Sequence, residues 1–186
     1  MGCSIDFTGV ADISFSCDDV ATGGLKSVYL CDKADLDASS SDWAVASGAL
    51  TISHITGLVT AGVDMVALGF NNKDGFSNFT DVKTNNADGS GSCVPTIQIE
   101  FVRMDNDLRN TLNSIAKPGA ELVAFVETAA GTYHAVGIDF GLYASTVDGA
   151  SGASRTDKNR YQLTLVGEEN VLAYTMDSAN YAKVNA

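Results

Sequence analysis

The chain reads as a mainly β domain, an antiparallel β-sandwich or barrel with one short flanking helix. Three observations predict this. Apolar and polar residues alternate through Ile97-Gln98-Ile99-Glu100-Phe101 and again at Tyr161, Leu163 and Leu165, the period of a half-buried strand. Helical spacing is clear in one stretch, Leu108, Leu112 and Ile115. Glycine is frequent, 18 residues against 2 prolines, which suits many turns between short strands.

At 186 residues the chain is long enough for one substantial core, and a single domain over 1–186 is expected. A hydrophobic content of 45% excludes global disorder. The net charge is −12, with more than half of it carried by the first 70 residues. Such a surface argues against a DNA-gripping module, which needs a basic face. It is compatible with a surface that nucleic acid passes without adhering, because adhesion requires neutralised phosphates. The start MGCSIDFTG lacks the apolar stretch of a signal peptide. Asp6 breaks the myristoylation pattern. No apolar run approaches a membrane span, so no membrane partner is expected. Cys3, Cys17, Cys31 and Cys93 form no C-x-x-C pair, so a zinc site has little support. Reduced, partly buried thiols are the expectation.

Along the chain, residues 1–24 mix Asp, Ser and Gly with short apolar pairs and read as an N-terminal arm. Gly23-Gly24 turn into a first strand with Leu25, Val28, Tyr29 and Leu30. Leu36 to Gly48 reads as polar loop anchored by Trp43. Leu50–Val59 and Val63–Phe70, with Ala61-Gly62 between them, predict a hairpin. Residues 71–94 are rich in turn formers and predict a long mobile loop. After the Thr96–Val102 strand, Asp105 or Asn106 caps a helix that Pro118-Gly119 stops, with Lys117 at its end suiting the dipole. A fully apolar strand between Glu121 and Glu127 follows, then a turn at Ala130-Gly131 into Tyr133–Ile138. A Gly/Ser/Ala loop, Asp148–Asn159, leads to the Tyr161–Leu165 strand. Residues 170–186 read as an extended C-terminal arm.

No residue set carries convincing chemistry. His54 and His134 lie within strand patterns, where a structural role is the ordinary one. Cys93, His134 and Asp139 form a triad only on paper, because Cys93 lacks the strand-turn-helix setting of a nucleophile. Asp105-Asn106-Asp107 resembles the start of a calcium loop, but Asn110 and Ala116 stand where that loop requires Gly and Glu. Gly89–Gly91 and Gly149–Gly152 lack the Gly-Lys-Ser/Thr ending of a phosphate cradle. No catalytic residue, metal or cofactor is expected. Phe76 and Phe79, aromatic residues in a Gly/Asn-rich setting, either tuck onto their own domain or anchor a subunit interface, and Phe70 joins them as an interface candidate.

Four stretches taken in order resemble a family. They are GGLKSVYL, IEFVRMDNDLRNTLNSIA, ELVAFVETAAGTYHAVGIDFG and TDKNRYQLTLVGEE. Together they are similar to tail tube-type virion proteins of tailed bacteriophages, particularly those of Bacteroides-type hosts. The match runs from Gly23 to Glu169 and departs at the hairpin, where Glu127 to Gly131 replaces an Asp-x-Asn-Gly turn. The resemblance implies two packed antiparallel sheets with a flanking helix. It implies a homo-oligomer of hexameric rings, stacked into a tube that passes DNA without binding it specifically. Other tail or neck proteins would be its partners, and the virion tail, assembled in the host bacterial cytoplasm, its location. Gln98 and Glu100, on the polar face of their strand, are then the candidate lumen residues. The alternatives are another virion module, such as a neck stopper or head decoration protein, a glycan-binding sandwich domain, or a hydrolase using Cys93 or a histidine.

Overall fold

The computed structural model describes residues 23–39, 44–46, 54–57, 63–70, 76–88, 90–154 and 157–184. Its elements are β1 (Leu25–Asp32), α1 (Lys33–Ser39), β2 (Ala44–Ala46), β3 (His54–Gly57), β4 (Val66–Leu68), β5 (Asn78–Asn85) and β6 (Gly91–Phe101). They continue with α2 (Asn106–Ile115), β7 (Leu122–Thr128), β8 (Tyr133–Val136), β9 (Leu142–Ala150), β10 (Arg160–Gly167), β11 (Tyr174–Met176) and α3 (Ser178–Val184). The fold is mainly antiparallel β, as expected. Among the described residues the β11–β3 pair alone is parallel.

The strand β7 organises the molecule. It pairs with β1 along one edge and with β8 along the other. Its sequence LVAFVET is apolar on both faces because both are covered. Leu122, Ala124 and Val126 enter the main core with Val28, Leu30, Ile97, Ile99, Leu163, Leu165 and the α2 stripe Leu108, Leu112, Ile115. Val123 and Phe125 point the other way, into a second core with Leu36 of α1, Met176 of β11 and Tyr181 and Val184 of α3. The β9-β10-β6-β5 run closes the main core from its far side. It joins β7 through one pair of residues, Leu122 and Leu142.

The predicted helix forms as the residues require. Asp105 Oδ1 accepts the Leu108 N–H at 2.7 Å, and the stripe Leu108, Leu112, Ile115 is buried. Gly119, with φ 79°, turns the chain away after it.

Four sequence expectations are corrected. Residues 71–94 are in large part a hairpin rather than a loop: β5 pairs with β6 from Asn78 opposite Gln98 to Asn85 opposite Gly91. Asp88 Oδ1 pins its turn by accepting the Ser90 N–H at 2.9 Å. Residues 71–75 and 89 lie outside the described residues. The polar segment after β1 contains α1, started by Asp32 Oδ1 accepting the Ala34 N–H at 2.8 Å and held by buried Leu36. Trp43 lies outside the described residues. The tail from 170 docks rather than trails. Its β11 pairs with β8, and α3 is capped by Asp177 and buries Tyr181 and Val184. The expected hairpin between Leu50 and Phe70 is not seen among the described residues, where β3 and β4 do not pair with each other. Instead β3 pairs with β2 and β11, and β4 with β1, because this segment supplies Val63 to the second core and Leu68 to the main one. Ala61-Gly62 and residues 1–22 lie outside the described residues.

Phe125 is fully enclosed in the second core. Phe125→Ala is expected to lower unfolding free energy by about 3–5 kcal/mol, read as a shifted urea midpoint. Val82→Ala, at an exposed site on β5, should change it by less than about 0.5 kcal/mol.

Candidate functional site

The outer face of the β9-β10-β6-β5 run is built from residues that alternate with the core positions. The register aligns Thr146, Thr164, Gln98 and Asn78 in one row across four strands. Gln98 Oε1 accepts from Asn78 Nδ2 at 3.1 Å. The next row holds Asp148, Gln162 and Glu100. Most of this face is hydroxyl and amide. Gln98 lies on this polar outer face and remains partly exposed.

Glu100 does not. It is among the most buried side chains of the chain, at 1% exposed. Its Oε1 accepts from Lys158 Nζ at 2.8 Å, and its Oε2 from Arg160 Nη1 at 2.7 Å and Gln162 Nε2 at 3.2 Å. Burial pushes the carboxyl up. Hydrogen bonds from Lys158, Gln162 and Arg160 outweigh it and hold the group below the usual carboxylate range. A buried acid paired with two cations is a structural node with one net positive charge, and the expectation of Glu100 as a lumen charge is corrected. Ser77 closes this node from above, its Oγ accepting the Glu100 N–H at 3.1 Å.

The three predicted interface aromatics turn toward their own chain. Phe76 lies 5.9 Å from the Arg160 guanidinium, over the Glu100 node. Phe70 and Phe79 are half-buried against the main core, and Phe79 stacks at 5.6 Å on His134. The exposed aromatics are others. Phe140 is 58% and Tyr143 53% exposed, and both line a groove of about 510 Å³ between Ala116–Glu121 and Phe140–Ala144. Sequence reading passed over both. The available signal was parity: Tyr143 follows the core residue Leu142 and must point outward in a strand.

Beyond Leu142, no strand among the described residues pairs with the outer edge of β9. This open edge runs from Tyr143 to Ala150. A bulge at Ser145 switches its faces, so that Ala144 and Val147 lie opposite core residues Leu165 and Leu163. The outer edge of β5 is open as well, but carries Asp81 and Lys83.

A second polar cluster ties the ends of both runs together. Cys93 and Glu169 exchange backbone hydrogen bonds at 2.8 Å in each direction. The buried Glu169 carboxylate accepts the Asp139 N–H at 2.9 Å and the Phe140 N–H at 3.4 Å, and Asp139 Oδ1 accepts from Tyr174 OH at 2.9 Å. The positive φ of Gly137, 84°, shapes this loop, where an added Cβ would sit 2.7 Å from the Leu122 carbonyl oxygen. Cys93 is enclosed, and burial, with the Asp81 carboxylate adding, pushes its thiol up, the reverse of what a nucleophilic thiolate needs. Asp139 is engaged by Tyr174, and His134 Nε2 lies 3.3 Å from Thr132 Oγ1. His54 lies on β3, with its side chain outside the described residues.

No protein-family model matches this chain, and no match was found among curated proteins or solved structures. Among the described residues no helix is long and apolar enough to cross a membrane, and no group of three or more His, Cys, Asp or Glu is arranged to hold a metal ion.

Burial pushes Glu169 up to about 7, against the two N–H donors and with the Asp139 carboxylate adding to the rise. The folded state therefore binds this proton more tightly than the unfolded chain. The resulting stability is full below the ordinary Glu value and is lost as pH rises through about 7. His134 acts in the opposite sense, since burial lowers it. Comparison with Glu169→Gln isolates the first effect. From about pH 5 to about pH 8 the parent protein should lose stability relative to the variant in urea titrations, and a constant difference would contradict the assignment.

Proposed function

We propose that this chain is a structural subunit of a tailed-phage virion that self-assembles into rings stacked as a tail tube. The observation that carries the reading is the open β9 edge. Natural proteins blunt long sheet edges with lysine, proline or a covering segment. From Tyr143 to Ala150 this edge has neither lysine nor proline; the Ser145 bulge and Asp148 are its only protections among the described residues, and its side chains stay largely exposed. An edge of this kind favours pairing with another chain, and head-to-tail pairing that closes gives rings.

Two further observations support the reading. The four stretches that carry the family resemblance form β1, β6 with α2, β7 with β8, and β10, which together enclose the main core. The outer face of the β9-β10-β6-β5 run is rich in hydroxyl and amide groups, and its most buried acid is paired with two cations. Its partly exposed cations, Lys158 and Arg160, are both tied to Glu100, and the rest of the face offers passing DNA little for phosphate neutralisation. Hexameric closure, contact with other tail or neck proteins and location in the virion tail follow from the resemblance and belong to the same proposal.

Negative-stain microscopy of concentrated purified protein tests it. The expected images are rings with an axial opening, and tubes on further concentration. A species that stays monomeric by light scattering at every concentration and salt would sink the assembly reading.

A further inference from the structure

The open β9 edge invites the question of what covers it. Residues 12–18, Asp-Ile-Ser-Phe-Ser-Cys-Asp, alternate strictly, with Ile13, Phe15 and Cys17 apolar against Ser14, Ser16 and Asp18 polar. That is the pattern of a strand with one dry and one wet face. Extended, seven residues span about 23 Å, close to the roughly 26 Å of edge from Tyr143 to Ala150. The edge has matching faces. On the core side stand Ala144, Val147 and Gly149, opposite Leu165, Leu163 and Tyr161. Val147 remains 37% exposed although its neighbour Leu163 is fully buried, so the core side is left uncovered at this margin. On the wet side stand Tyr143, Thr146 and Asp148.

We propose that residues 12–18 of a second copy of this chain add as a strand to the β9 edge. Backbone hydrogen bonds supply the pairing, and Ile13, Phe15 and Cys17 cover the apolar margin beside Val147. The chain's own segment does not reach. Gly23, the first described residue, lines a groove with Asn78 and Phe79 of β5 and with Thr128 and Thr132 beside the β7–β8 turn. Crossing from β5 to a strand outside β9 takes four strand spacings, about 19 Å. The route along β7 is no shorter. Leu25 stands opposite Thr128 and Leu142 opposite Leu122, six residue steps apart, about 20 Å. From Asp18 to Gly23 the chain has five steps, at most about 18 Å. The inference deepens the assembly reading and rests on it for the second copy.

The test is disulfide trapping in the full-length chain. One variant pairs native Cys17 with Val147→Cys on the dry side. The other pairs Ser16→Cys with Thr146→Cys on the wet side, in a Cys17→Ser background. Both carry Cys3→Ser. Unlabelled and nitrogen-15-labelled protein are mixed, oxidised mildly and digested for mass spectrometry. The expected product of at least one variant is a linked peptide pair containing one light and one heavy half, lost when Ile13→Asp and Phe15→Asp are added. Linked pairs made only within one copy would overturn the proposal. So would rings or tubes visible by microscopy with neither pair trapped. Mixed pairs in a protein that never forms rings would uphold the strand addition while sinking the tube reading.

Discussion

The two-sided burial of β7 is the constraint on which the rest of this structure depends. A strand with apolar residues on both faces must be covered twice. Leu122, Ala124 and Val126 demand one cover, and Val123 and Phe125 the other. The β9-β10-β6-β5 run with α2 answers the first demand. The short helices α1 and α3 answer the second. The C-terminal segment is thereby recruited into the body. Its Tyr181 hydroxyl meets Ser27 Oγ at 2.7 Å, and Ser27 in turn donates to buried Glu127 at the end of β7 at 2.9 Å. A polar clasp of this kind fixes the depth at which α3 docks, since leaving any member unpaired in a buried setting costs about 1–3 kcal/mol.

The same arrangement accounts for the open edge. The β9-β10-β6-β5 run is anchored to β7 at one residue pair, so β9 departs from the first sheet at once and its outer backbone meets no strand of the described residues there. Its inner face still serves the core through Ala144, while its outer face continues the polar rows of β10 and β6. An edge left in this way is a product of the fold's own closure, and it is the place where the proposed assembly would pair another chain. The Glu100 node stiffens the same run on its outer side, where Lys158, Arg160 and Gln162 converge with Ser77.

Legibility in the sequence followed the number of buried side chains per element. The stretch from Thr96 to Gly141 was read nearly complete, because β6, α2 and β7 each bury a regular set of apolar residues. The helix α1 was missed because Leu36 is its one buried residue among those described, and one residue makes no stripe. The strand β5 was missed because it lies at the margin of its run with few buried side chains, so polar Asn, Thr, Asp and Lys dominate it. Glu100 misled for a different reason. Alternation correctly put it on the outer face, but its partners Lys158 and Arg160 lie about sixty positions away, and only the pairing of β6 with β10 brings them together. At Cys93 the sequence shows only an unsuited local context, and the structure adds burial, which pushes the thiol up.

The central claim is that this chain assembles through the β9 edge. Amide hydrogen exchange, followed residue by residue in dilute and in concentrated protein, tests it most directly. The account predicts that outward-facing amides between Tyr143 and Ala150 exchange freely in dilute protein and become protected on assembly, while β7 amides are slow throughout. Rings or tubes whose β9 amides exchange as fast as those of the dilute protein would contradict it.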